Sequence, residues 1–589
     1  MIICYVFSIF YLIIMFMIYK RSNNKLCLMS CMIYSISLLI CYNTFIVYLL
    51  YLLGIKGSIL LYSIINYLIA SIIGIIIYFS GKKIQKYYVD KKKLLVFILV
   101  GVILFLVGYF KFRGFEAISF NSGDSGIHYA HTLKFSQELS ILDVNNSKDE
   151  VAGCFVRVMP ISYINGGLLF NILSNEKPCI VFSWYNVGCL VLSGLLFLVT
   201  LIDCFKLYKK DYFYFIFYCL VYIFAFPLNN FIMGFCYLSL SIMVINLLYL
   251  TLYFFKDSFN KSIIFKIINI FLITFSCFYS YYLFVPVVYL ALGLYYIYLW
   301  KKKNISFKQL ILYGILTLIV PFIMGFLYFF VTLFQEHGGE IVLKILNTSG
   351  YCYVSVASIL LFVFGTIFLG CYYNKTKEVN YLTISLFVLT IYIFIFIVLL
   401  LLGRIELYYF FKLFSVYWLF LLLFLFDKVI GYRKIFYFIF IILLVANLYL
   451  YLFPNNKISI YLMQSNIYSY NTRSFFNDGL IFEEEELDLL EKSVLYNDIC
   501  KKDKHFLLLG GNNKHIWAYY ITGNLPVLGT PTGDINYLFN NKVTKFDEWE
   551  DNTDYSCLIY YYEGRNVIID EDKYQILYDN DKGAIIKRR

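Results

Sequence analysis

Residues 267–300 read IINIFLITFSCFYSYYLFVPVVYLALGLYYIYLW, an apolar run flanked by Lys256, Lys261 and Lys266 on one side and Lys301, Lys302 and Lys303 on the other. A bilayer is crossed by roughly 20 helical residues, so this run is too long for one span. It predicts a helical hairpin that turns near Ser280-Tyr281-Tyr282, with both lysine clusters on one membrane face. That pairing fixes the sense in which the rest of the chain is threaded.

Outward from the hairpin, apolar runs of similar length recur almost to residue 453, in a chain that is 61% hydrophobic and 15% charged with a mean hydropathy of +0.74. Such a composition exceeds what a soluble core requires and marks a polytopic α-helical membrane protein. About fourteen spans are expected, near 1–19, 28–53, 58–80, 94–112, 179–202, 213–228, 232–255, 267–279, 283–300, 309–335, 352–373, 380–402, 411–427 and 435–453. Met1 to Tyr19 has no positively charged start and no small-residue cleavage site, so it reads as a retained span, not a signal peptide.

The net charge of +12 would suggest nucleic acid in a soluble protein. Here most basic residues fall in short loops between spans and read as topology, so no nucleic-acid partner is expected. Lys20/Arg21/Lys25, Lys82/Lys83/Lys86 with Lys91/Lys92/Lys93, Lys206/Lys209/Lys210, Lys375/Lys377 and Lys428/Arg433/Lys434 join the two hairpin clusters on a single, cytoplasmic face. The N-terminus, the loop 113–178, the loop 336–351, the connection 403–410 and everything beyond about 454 are then expected outside.

The chain therefore divides into a helical bundle, 1–453, containing the extracytoplasmic loop 113–178, and an extracytoplasmic α/β domain, 454–589. In that tail domain Glu483-Glu484-Glu485-Glu486 starts an amphipathic helix through about Ile499. Buried strands are expected at His505 to Gly511 and Cys557 to Tyr562, a helix at Asn512 to Thr522, and a hairpin from Tyr574 to Lys587 turning at Asn580-Asp581-Lys582-Gly583. Gly510-Gly511 resembles part of a phosphate-binding turn but reads more simply as a tight strand-to-helix turn, since a full G-x-G-x-x-G is missing. Most of the 15 cysteines lie in spans and suit packing. Cys500 and Cys557, both in the tail, can pair or stay as free thiols.

Polar chemistry concentrates in the loop segment Asn121-Ser122-Gly123-Asp124-Ser125-Gly126-Ile127-His128-Tyr129-Ala130-His131, which holds two of the chain's five histidines. If Gly126 to Leu139 is helical, Asp124 and His128 share a face near its start, where the helix dipole keeps a carboxylate ionised. Asp124 then suits a general base, with His128 orienting it or holding a phosphate; it equally suits a helix cap. A second constellation, Gly403-Arg404-Ile405-Glu406-Leu407-Tyr408-Tyr409-Phe410-Phe411-Lys412, lies where one span leaves the outer face and the next returns. Arg404 and Lys412 there can grip a lipid phosphate, or Arg404 can pair with Glu406 or snorkel to headgroups. Arg157, Tyr163, Tyr281, Tyr282 and His337 are further candidates on that face. Met159 to Leu173, apolar but too short to span, is expected to lie along the interface and close a cavity between loop and bundle.

Many spans, a long early outer loop with an acid near its start, and a globular tail on the same side together resemble the GT-C superfamily of integral-membrane glycosyltransferases. Asp124-x-x-x-His128 looks like the D-x-x-x-H form of some bacterial members. The resemblance implies a polyprenyl-phosphate-linked sugar as donor, a cell-envelope acceptor and a catalytic site at Asp124 on the outer face of the cytoplasmic membrane, where no nucleotide sugar is available. Arg404 and Lys412 would then stabilise the departing lipid phosphate. Two departures stand: the loop follows the fourth helix instead of the first, and no adjacent acidic pair accompanies Asp124, so a divalent metal is possible but lacks a second acidic ligand. An O-antigen-type polymerase or ligase is the nearer alternative, although its catalytic loop would be expected late in the chain. A lipid-linked oligosaccharide flippase or other transporter would be expected to carry buried charges within its helices and no globular tail.

Overall fold

The computed structural model describes residues 1–23, 27–79, 90–120, 124–141, 160–205, 212–225, 227–255, 263–327, 356–405, 407–428, 441–442, 445, 449, 480–496, 499–500, 506–509, 517–518, 521–522, 556–562 and 569–589. The bundle comprises α1 (Ile2–Asn23), α2 (Leu28–Leu52), α3 (Ile59–Phe79), α4 (Lys91–Lys111), α7 (Pro178–Cys204), α8 (Tyr212–Ala225), α9 (Pro227–Ile232), α10 (Cys236–Phe255), α11 (Ile263–Ser280), α12 (Val285–Lys301), α13 (Phe307–Gly314), α14 (Val356–Thr376), α15 (Tyr381–Leu401) and α16 (Leu407–Lys428). Between α4 and α7 lie a short strand β1 (Ile118–Ser119) and two helices, α5 (Asp124–Glu138) and α6 (Pro160–Ile172). Among the described residues nine helices are long and apolar enough to cross a membrane, and two shorter apolar helices accompany them, Lys266–Ser280 and Lys412–Phe426. The chain is thus a polytopic helical membrane protein. The expected span at 435–453 and the loop 336–351 fall almost wholly outside the described residues.

The hairpin turns at the expected place. Tyr281 is extended, with φ −160°, a 3-10 turn follows at Tyr282–Phe284, and Pro286 sits in the first turn of α12. Proline is well tolerated there because its missing N–H would be unpaired anyway. The apolar stretch 213–255, expected as two spans meeting near 228–232, breaks differently. Short α9 ends at Ile232 and Gly234 takes φ +75° before α10 begins. Glycine is required, because a Cβ there would stand 2.6 Å from Ser125 Cβ.

At the end of the bundle that carries the α4–α7 connection, α6 is buried almost throughout, packed between α5 of the loop and α2 and α7 of the bundle. Its Gly166-Gly167 pair explains the depth: a Cβ on Gly167 would meet Phe135 at 2.7 Å and the Ser136 amide nitrogen at 2.9 Å. Small residues let helices approach closely, and α5 settles into that groove. Asn43 of α2 donates to Asn165 of α6 at 3.0 Å, an interhelical bond of the kind worth about 0.6 kcal/mol in bilayers.

The tail domain contains β2 (Leu480–Phe482), α17 (Glu484–Leu495), β3 (Phe506–Leu509), β4 (Cys557–Tyr561), β5 (Tyr574–Asn580) and β6 (Gly583–Arg588). Its four-stranded sheet runs β3-β4-β6-β5, with β3 and β4 parallel and the other pairs antiparallel. The amphipathic helix, both strands and the final hairpin fall where the hydrophobic pattern puts them. Of the expected helix Asn512 to Thr522, only Trp517–Ala518 and 521–522 are described. Cys500 and Cys557 are joined as a disulfide with Cα atoms 5.7 Å apart.

Tail and loop are tied together at the same end of the bundle. β1 pairs antiparallel with β2. Glu483 accepts from Arg113 at 2.6 Å and from Lys582 at 2.5 Å, and Lys177 meets Glu491 at 2.9 Å. At the opposite end Lys93 and Asp203 form a 3.0 Å ion pair with both side chains only 7% exposed. A pair so shielded is strongly disrupted by loss of one partner, which would leave a buried charge unmatched.

Candidate functional site

Helix α5 runs from Asp124 to Glu138, and Leu139 just after it takes φ +51° while its carbonyl accepts from Tyr62 at 2.8 Å. Asp and Ser favour a helix start because their side chains satisfy free backbone amides. Four residues on from Asp124, one turn along the same face, His128 is buried. Its Nδ1 lies 2.9 Å from Tyr163 Oη on α6. The same imidazole meets Phe235 edge-on, with centroids 5.9 Å apart, and Tyr237 at 5.0 Å.

The remaining wall is a caged cation. Lys412, in the second turn of α16 and 3% exposed, donates to Tyr237 Oη at 3.3 Å. Its ammonium stands 4.9 Å from the ring centre of Tyr281, 5.7 Å from Tyr237 and 5.9 Å from Phe235. Aromatic faces carry negative charge density, and their attraction for a cation grows as water is removed. Four elements therefore converge: the first turns of α5, the α6 segment at Tyr163, the α9–α10 break and the start of α16, with the hairpin turn at Tyr281 beneath them.

Electrostatics divides the roles. Burial, helped by the nearby Lys412 charge, pushes the His128 imidazole down to about 3, so it is neutral at physiological pH. It can exchange hydrogen bonds with Tyr163, and the positive charge in the cluster is Lys412. One turn further, His131 is fully buried, 5.0 Å centroid to centroid from Tyr163, with neither ring nitrogen hydrogen-bonded. Burial, with His128 and Lys134 adding to it, drives this group down as well.

Of the candidates read from sequence, His128, Tyr163, Tyr281 and Lys412 come together, and Tyr282 adjoins them through Tyr281, with centroids 5.2 Å apart. Arg404 does not join them. It is exposed on the turn after α15, beside left-handed Gly403, and its backbone N–H bonds Leu399 O at 2.9 Å. Arg157, His337 and Glu406 lie outside the described residues, as does the side chain of Asp124. Phe235 and Tyr237 carry no motif in the sequence; the one signal for them is Gly234, which breaks an apolar run.

Chemically, the cluster offers a neutral imidazole beside a tyrosine and a desolvated ammonium, one helical turn from the Asp124 backbone. Such a cation suits a developing anion. Among the described residues no group of three His, Cys, Asp or Glu side chains is placed to hold a metal ion. No protein-family model matches the chain, and no curated protein sequence matches it.

Proposed function

We propose that the chain is a GT-C-type glycosyltransferase of about fourteen spans, moving a sugar from a polyprenyl-phosphate donor to a cell-envelope acceptor on the outer face of the cytoplasmic membrane. The observation that carries the proposal is the convergence of the Asp124 end of α5 with Lys412 and its aromatic cage, where loop, bundle and tail meet. In the reaction Asp124 takes the proton of an acceptor hydroxyl. The acceptor oxygen attacks the anomeric carbon, the bond from that carbon to the phosphate oxygen breaks, and polyprenyl phosphate leaves with both bonding electrons. Lys412 offsets the charge that builds on the phosphate, and neutral His128 with Tyr163 holds the helix face in place. The Cys500–Cys557 disulfide supports an outer location for the tail, because disulfides persist in oxidising compartments.

The test is Asp124→Asn in the full-length protein reconstituted with a panel of short-chain polyprenyl-phosphate sugars, following release of polyprenyl phosphate. As a general base Asp124 is worth about 10²-fold or more in turnover, whereas a helix cap is served almost as well by Asn. Loss of turnover with donor binding retained is the expected result. A fully active variant would sink the mechanism.

A further inference from the structure

Ser125, the residue after Asp124, is fully buried and accepts a hydrogen bond at 3.2 Å from the indole Nε1–H of Trp517, which belongs to the tail domain 392 positions away. Trp517 is itself fully buried. Its ring lies nearly parallel to Tyr129, with centroids 4.8 Å apart at 14°, and to Phe120, at 5.9 Å and 9°. Phe182 of α7 closes the box edge-on at 5.9 Å. Phe120 precedes α5, and Tyr129 stands one turn after Ser125 on the same helix face. One indole therefore touches the approach to α5, its first turn and its second turn.

On the other side, the first turn is backed by Gly234, where a Cβ would stand 2.6 Å from Ser125 Cβ. Ser125 is thus held between the α9–α10 break and the tail. A buried indole N–H needs an acceptor, since leaving it unpaired forfeits its hydration with nothing gained. Ring burial alone could be met by any apolar wall. The bond to a serine oxygen beside the reacting acid fixes both the height and the rotation of the helix start.

We infer that Trp517 is a positioning residue: through Ser125 it sets the first turn of α5, and with it the Asp124 backbone, so that the tail domain completes the site instead of merely covering it. The inference rests on the transferase reading for its effect on turnover, but not for its effect on α5.

Two conservative variants in the reconstituted full-length protein test it. Trp517→Phe keeps an aromatic ring and removes the N–H; Ser125→Ala keeps the indole and removes the acceptor. Hydrogen exchange is followed in peptides covering 124–131, with α17 and β4 as internal references. Turnover and KM are followed with the polyprenyl-phosphate sugar that the wild-type protein consumes. Each variant should speed exchange at the start of α5 by about tenfold, the worth of one net hydrogen bond, while the references hold. Turnover should fall by a similar factor, about tenfold, with KM within about twofold, because the donor's own contacts are untouched. The double variant should be no worse than either single one, because both remove the same bond. Unchanged exchange at 124–131, or effects that multiply in the double variant, would overturn the inference. If wild-type protein consumes no donor in the panel, the transferase reading fails, while the exchange measurement still decides the latch.

Discussion

Helices α10 and α15 are both long enough to span a membrane, yet the more apolar one is the less buried. Of the candidate spans α15 has the highest mean hydropathy and 33% of it is buried inside the protein, whereas α10 has the lowest and is 89% buried. Phe387, Phe394 and Leu401 of α15 are exposed, while Ser239, Ser241, Asn246 and Thr251 of α10 are buried. In lipid there is no hydrophobic gain in hiding an apolar face, so polarity goes inward and holds helices together by hydrogen bonds. Asn246 accepts from Thr200 of α7 at 3.0 Å, and Thr251 lies 2.9 Å from Tyr34 Oη of α2. The α10 end also supplies Phe235 and Tyr237 to the cluster, whereas Arg404, on the turn after α15, is exposed.

Removing the cation caged at the α10 end should have the largest effect. Lys412→Met is expected to slow donor turnover about 10²-fold, the usual consequence of losing one group that meets a developing negative charge. Lys412→Arg should recover little, because a planar guanidinium does not fit a cage shaped around an ammonium. Wild-type turnover in Lys412→Met would show that the inward helices do not frame the reaction.

Within the bundle, Asn246→Leu should lower stability by about 1 kcal/mol by leaving Thr200 without its α7–α10 partner. An unfolding titration in detergent with increasing sodium dodecyl sulfate would measure it. An unchanged midpoint would mean that α10 is held by apolar packing, as α15 is.

The contacts that hold the tail over the α10 end should respond to acid. Hydrogen bonds from Lys582 and Arg113, acting against partial burial, keep the Glu483 carboxyl below the usual carboxylate range. A folded-state value below the unfolded one gives stabilisation that is complete above the unfolded value, roughly pH 4.3, and is lost as pH falls through the depressed value. Protease release of the tail domain should therefore be flat from neutral pH to about pH 5 and rise only below about pH 4. Glu483→Gln should flatten that acid limb; a limb that persists would place the sensitivity elsewhere.

Smallest of all should be Arg404→Ala, at the α15 end. An exposed side chain away from the cluster is expected to change turnover by less than about threefold, in line with surface substitutions generally. A loss equal to that of Lys412→Met would invert the contrast between the two helices.

What could be read from the amino-acid sequence follows the same division. Helical spans, the hairpin turn at Tyr281 and the strands of the tail are local: each rests on the period and length of its own apolar residues. Lys412 was legible because a charge at a membrane boundary is costly unless solvated or paired, and Tyr281 because it marks the turn of the hairpin. Tyr237 and Trp517 were not. A break in the run 213–255 was legible, but its place at Gly234 and the swing of Phe235 and Tyr237 into the cluster were not, because both depend on the close approach of Ser125. Trp517 acquires its meaning only from Phe120, Ser125 and Tyr129, which no local pattern links to it. For Arg404 the sequence left the alternatives open, since an arginine beside a span has the same sequence context whether it grips a ligand or faces water; the structure places it exposed on the turn after α15.

The pairing of β1 with β2 also imposes an order of events on biogenesis. The Arg113–Glu483 bond joins residues 370 positions apart; at about 5–20 residues per second, the loop waits from roughly 20 s to over a minute for its partner strand to be synthesised. During that interval α5 has no Trp517 against Tyr129 and no β2 beside β1, so its first turn is completed only after the last spans have been inserted. A ribosome stalled before residue 480 would leave a bundle already in the membrane whose helix α5 has yet to be seated against the tail.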